Sequence, residues 1–166
     1  IEKSIEYLRK KGVLKAAKKS SRDAAEGLII IGENKNTINL TEINSETDFV
    51  AKNEEFINFC KKISETSTEA NNLDSLNNIQ IDGIAIKDLI VSLVSKIGEN
   101  IKLRRFKKIL KENFKSAFYV HNKVNNSMGK IVSVLKYNSK KEESAKFATN
   151  ICMHIAAMSP MALNED

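Results

Sequence analysis

Tryptophan is absent from this sequence, proline occurs once, cysteine twice and glycine six times in 166 residues, and aromatic side chains make up only 6%. Each shortage excludes something. No uninterrupted apolar run approaches the roughly 20 residues a membrane-spanning helix requires. The few aromatics show none of the aromatic-and-arginine strand pattern of an RNA-recognition sheet. Cys60 and Cys152 each fall on an apolar helical face, where a free thiol behaves as a small hydrophobe, so both are read as reduced core residues in a reducing compartment such as the cytoplasm. Two cysteines make no metal site without further ligands, and His121 and His154 do not stand at zinc-ligand spacing with them, so no metal is expected. A hydrolase using His121 with an acid or Cys152 lacks support. There is no nucleophile motif and no phosphate-cradling glycine loop, and no cofactor is implied.

What is present is the composition of a soluble globular protein, 42% hydrophobic and 29% charged, with a net charge of +6. A sequence pI near 9.2 fits an acidic partner or nucleic acid and says little about fold. The length suits one sizeable core or two small ones.

Ile1, Ile5 and Leu8 recur at helical spacing, and Gly12 after Lys10 and Lys11 predicts a helix stop. Ile1 falls inside that amphipathic pattern, so the sequence is expected to begin within a longer protein. Val13 to Glu26, with Lys15, Lys18, Lys19 and Arg22 among alanines, reads as a basic, partly helical connector. Leu28–Ile31, the turn cluster Asn34–Asn36 and the alternating Thr37–Ile43 predict a hairpin. A helix is expected from about Thr47 to Thr66, capped by Ser45 or Thr47, with Phe49, Phe56, Cys60 and Ile63 near one face.

Asn71 to Asn78 reads as polar loop. Ile86, Leu89, Ile90, Leu93, Val94 and Ile97 follow the i, i+3, i+4, i+7 rule to a stop at Gly98. Glu99 to Lys111 suits strand or helix on pattern alone. The organisation then repeats: Ala117–His121, a turn through Asn125, Asn126 and Gly129, Ile131–Tyr137, and a helix through Phe147, Ile151, Ile155 and Met158 closed by Pro160. Two related α+β lobes follow from this repetition.

Thr47, Asp48, Phe49 and Val50 set a carboxylate beside a large ring just after a strand. By helical phase alone Phe49 joins the core face of Phe56 and Ile63. Ile97 is in phase with its helix's core stripe, so burial and contact are both open, and Gly98 is explained as a helix stop. His121, at a strand end before a polar turn, suits a surface contact, and His154, beside an apolar face, suits a structural role. Arg104, Arg105, Lys107 and Lys108 form the densest basic cluster. Its simplest role is a solvated strand edge that discourages sheet-to-sheet pairing.

Six ordered stretches then carry a resemblance: YLRKKGVLKAA (7–17), AAEGL (24–28), INSETDFVAKNEEF (43–56), KIGENIKLRR (96–105), Tyr119 to His121 with Gly129, and MHIAAMSP (153–160). Nearly end to end, the sequence resembles elongation factor Ts, the guanine-nucleotide exchange factor of elongation factor Tu. The resemblance implies an α+β fold of two related subdomains, each a small antiparallel sheet with packed helices, preceded by the helical remnant of an N-terminal module. Residues 1–26 would be the tail of that module and its linker, 27–112 the first core subdomain, and 113–166 part of the second. It makes Ile101 to about Lys108 a strand, and it implies family sequence before Ile1 and past Asp166.

It also implies a function in translation elongation. Thr47, Asp48, Phe49 and Val50 would form the partner-binding tip, whose ring wedges between two helices of elongation factor Tu and dislodges its Mg2+, promoting GDP release. Ile97, Gly98 and His121 match further partner contacts. Such a chain makes or breaks no bond and is not an enzyme. The partner would be GDP-bound or nucleotide-free elongation factor Tu in the cytoplasm, with no membrane, no DNA and no direct RNA binding. The competing reading is a basic ribosome- or RNA-binding α+β module, motivated by the charge.

Overall fold

The computed structural model describes residues 2–162, and Ile1 and Asp166 lie outside it. In chain order it contains α1 (Glu2–Lys19), β1 (Glu26–Glu33), β2 (Thr37–Ser45), α2 (Glu54–Thr66), α3 (Leu73–Asn78), the short strands β3 (Gln80–Ile81) and β4 (Ile84–Ala85), α4 (Ile86–Ile97), β5 (Lys102–Leu110), β6 (Lys115–Asn125), β7 (Met128–Tyr137) and α5 (Glu143–Met158). This is the α+β architecture of antiparallel strands and packed helices that the sequence implies.

The continuous apolar run Leu28–Ile31 becomes a central strand, with β2 on one side and β7 on the other. Leu28 and Ile30 pack with Ile43 against Phe56, Cys60 and Ile63 of α2. Ile31, one residue out of phase, is buried on the other face. Among the described residues the main sheet has five strands in the order β5-β2-β1-β7-β6. The two hairpins therefore share one sheet. Their junction is narrow, with Ile29 opposite Gly129 and Ile30 opposite Met128. Each half still has its own apolar cluster: a large one under β1, β2, α2 and α4, which Met128 also enters, and a small one of Ala117, Ala148 and Cys152 under α5.

Three local expectations change, and one open choice is decided. Gly12 does not stop the first helix, which continues to Lys19. A Cβ at Gly12 would stand 3.7 Å from the Ser95 side chain on α4, so the glycine lies where the two helices pack, and Ala16 one turn later joins the core. The side chains of Ile5 and Leu8 lie outside the described residues. The residues meant as loop between Asn71 and Asn78 include α3, because Asn72 and Ser75 form a reciprocal capping box and Leu76 is buried.

The helix expected from Thr47 begins instead at Glu54. Asn53 accepts from the Glu55 and Phe56 amides and is the working cap. Ser45 and Thr47 spend their hydroxyls elsewhere, on the Thr47 carbonyl and on Glu99. Finally, β5 resolves the strand-or-helix ambiguity toward strand. It pairs with β2 at the sheet edge.

Candidate functional site: an exposed tip between strand and helix

Between the end of β2 and a 3-10 turn at Val50–Lys52, the chain makes a protruding tip. Phe49 is its crest, 74% exposed although its type favours burial. Asp48 beside it keeps 47% of its side chain accessible, with Lys52 Nζ 4.0 Å away. Val50 turns the other way. At 3% exposure it belongs to the large core cluster, so of the four residues singled out it anchors the tip and offers no surface.

Two carboxylates hold the base of the tip in a reciprocal clamp. The Thr47 amide donates to Glu99 Oε2 at 2.9 Å and the Thr47 hydroxyl to Oε1 at 2.7 Å. In return Glu46 Oε1 accepts the Asn100 amide at 2.6 Å, and Glu46 Oε2 lies 3.5 Å from Arg22. The Asn100 side chain closes the network by donating to the Arg22 carbonyl at 2.7 Å. Lys19, in the last turn of α1, donates to the Gly98 carbonyl.

Gly98 makes this geometry possible. With φ of 88° it is the left-handed cap that ends α4 and swings Glu99 round to Thr47. Ile97, just before it, is half-buried against the core. The tip and the Ile97–Gly98 turn are thus one assembly. Glu46, Glu99 and Asn100 lie within the stretches that carry the resemblance, but no site role attached to them there. Positions 47 and 99 are 52 residues apart, and nothing in a single sequence couples them.

His121 lies on a neighbouring surface. It is exposed on β6 opposite Ile131, and its Nδ1 is 3.2 Å from the Tyr119 hydroxyl. Adjacent Lys130 pairs with Glu26 at 3.0 Å. Its pKa is raised by that hydrogen bond and by the Glu26 charge, with a smaller contribution from Asp48. His121 also borders an open groove of about 700 Å³ with Ile131, Met153 and His154. His154 is exposed there, so the structural role expected of it fails: it faces the groove instead of the apolar interior.

Cys60 and Cys152 are buried and free. Burial pushes both thiols up, Cys60 far beyond its ordinary range, which removes the thiolate a nucleophile needs. Among the described residues no cluster of His, Cys, Asp and Glu could hold a metal ion, and no helix is long and apolar enough to cross a membrane. In the basic cluster, Arg104 and Arg105 both reach Glu42, and Lys108 bonds the Ala70 carbonyl and Asn71.

A family model described as elongation factor TS matches residues 46–166, a span that begins at the tip. This chain belongs to the elongation factor Ts family. Elongation factor Ts of Campylobacter hominis is 38% identical over 99% of this chain and 47% of its own length. That of Dinoroseobacter shibae is 39% identical over 99% of this chain and 55% of its own, and that of Rhodopseudomonas palustris 39% over 99% and 54%. The chain spans about half the length of these relatives.

Proposed function

We propose that this chain carries the part of a guanine-nucleotide exchange factor that engages elongation factor Tu in the cytoplasm, dislodges its Mg2+ and promotes GDP release during translation elongation. The observation that carries this reading is Phe49, a large ring left in water beside a carboxylate, on a tip held from both sides, in a member of the elongation factor Ts family. Removing a phenyl ring from water stabilises a complex by roughly 1.5–3 kcal/mol, and such a ring in a desolvated pocket is the kind of contact that dominates interfaces.

Asp48 competes for polar contacts near the ion. Mg2+ tolerates little departure from octahedral geometry, so a small displacement of its surroundings weakens it and, with it, the nucleotide. Ile97, Gly98 and His121 extend the contact surface around the tip, and Thr47 and Val50 hold it. Reciprocity follows: if the factor lowers nucleotide affinity by some ratio, the nucleotide lowers affinity for the factor by the same ratio. No bond is made or broken, and the two buried free thiols suit a reducing cytoplasm. Residues 27–112 and 113–166 act as two subdomains, with 1–26 the tail of an N-terminal module.

The test is release of a fluorescent GDP analogue from elongation factor Tu. The chain should accelerate it, and Phe49→Ala should remove at least about tenfold of that acceleration, the loss of one interface anchor. Release equally fast with the ring gone would refute the wedge.

A further inference from the structure

We propose that Glu99 is a positioning residue for nucleotide exchange: its carboxylate latches Thr47 and so presets the Asp48–Phe49 tip for insertion. This rests on the exchange reading above and adds the device that makes the tip competent.

The residues to be presented are only two, and the chain is fixed on either side of them. After Phe49, Val50 is sunk in the core. Before Asp48, both the amide and the hydroxyl of Thr47 end on the two oxygens of Glu99. A carboxylate accepting two donors is a stronger and more directional tie than a neutral hydrogen bond. The ring itself makes no such commitment, being largely in water. Without the latch, Thr47 would keep only the Ser45 hydroxyl on its carbonyl, with Glu46 tied to Asn100 behind it, and docking would have to order the loosened Asp48–Phe49 segment at an entropic cost.

The latch also joins the tip to the Ile97–Gly98 turn, because Gly98 ends α4 in the left-handed conformation immediately before Glu99. Glu46 strengthens the same junction from the opposite direction through the Asn100 amide. Two surfaces proposed to meet the partner are thereby fixed relative to each other.

Glu99→Ala in the full chain should slow release of the GDP analogue about tenfold, the worth of a charge-assisted tie, and should lower the urea midpoint by no more than the loss of that one tie. Thr47→Val, which removes one of the two donors, should act in the same direction more weakly, and Thr47→Ser should restore the rate. In a Phe49→Ala background, Glu99→Ala should have no further effect, because Glu99 acts through the ring. An additive loss in that background would overturn the proposal, as would a slow Glu99→Ala beside an unaffected Thr47→Val, which would make Glu99 a direct partner contact. If Phe49→Ala itself leaves release unchanged, the exchange reading fails, and the latch is judged on the free chain. There the heteronuclear NOE of the Asp48 and Phe49 amides should fall in Glu99→Ala, and an unchanged NOE would overturn the latch.

Discussion

Phe49 and Val50 are neighbours with opposite fates, and the contrast is measurable. Val50 is enclosed by the main core, so Val50→Ala removes buried methyl groups and leaves a void. It should cost about 2 kcal/mol in urea unfolding. Phe49→Ala should stay within about 0.5 kcal/mol of the parent, as exposed substitutions do, while abolishing the wedge. A larger stability loss for the ring than for the valine would mean that the tip is packed inward. The sequence pattern alone places Phe49 on the face of Phe56, Cys60 and Ile63, and that phase is misleading because no helix runs continuously from 49 to 63. The chain leaves β2, turns at the tip, and starts helical phase afresh at Glu54. The resemblance, by contrast, points to the exposed ring. The latch residue Glu99 was illegible because its partner is distant in sequence and its role exists only once α4 and β2 are side by side.

At the scale of elements, most helices and strands follow from periodicity, while their ends follow from which polar side chain wins a local competition. Ser45, Thr47 and Asn53 are all acceptable caps by type. Only Asn53 has its side-chain oxygen on free helical amides, at 2.9 and 3.3 Å, since the other two donate their hydroxyl protons elsewhere. Asn53→Ala should therefore destabilise the protein by about 1 kcal/mol and fray the first turn of α2, seen as faster amide exchange at Glu55 and Phe56. Ser45→Ala should leave those two amides unaffected, and equal effects of the two changes would contradict the assignment of the cap. Glycines show the same limit of local reading. Gly12 and Gly98 each follow a lysine within two residues and both look like stops, yet Gly98 adopts the left-handed cap while Gly12 stays helical where α4 packs against it. A helix-packing glycine is recognisable only when the opposing helix is in place.

Across the whole molecule, the two hairpins are individually legible from alternation and turn residues, and their union is not. The clue was present in Leu28–Ile31, whose unbroken apolar run demands cover on both faces and hence a central strand. Nothing local says that the covering neighbour is β7. The joint relies on two opposed residue pairs, on the Ile31 amide reaching the Ser127 carbonyl at 2.7 Å, and on Met128, which leaves its own hairpin to fill the core of the other half at 0% exposure. The second half has little core of its own, its buried apolar cluster being Ala117, Ala148 and Cys152. Its stability is therefore borrowed through the joint. Met128→Ala should cost about 2–5 kcal/mol, the range for emptying a buried methionine site, and the loss should be uneven. Hydrogen exchange should show amides of β6, β7 and α5 opening well before those of α2 and α4, whose contacts lie mainly in the larger cluster. Uniform acceleration across both halves would mean that Met128 supports a single cooperative core, and would remove the basis for treating the hairpins as two subdomains.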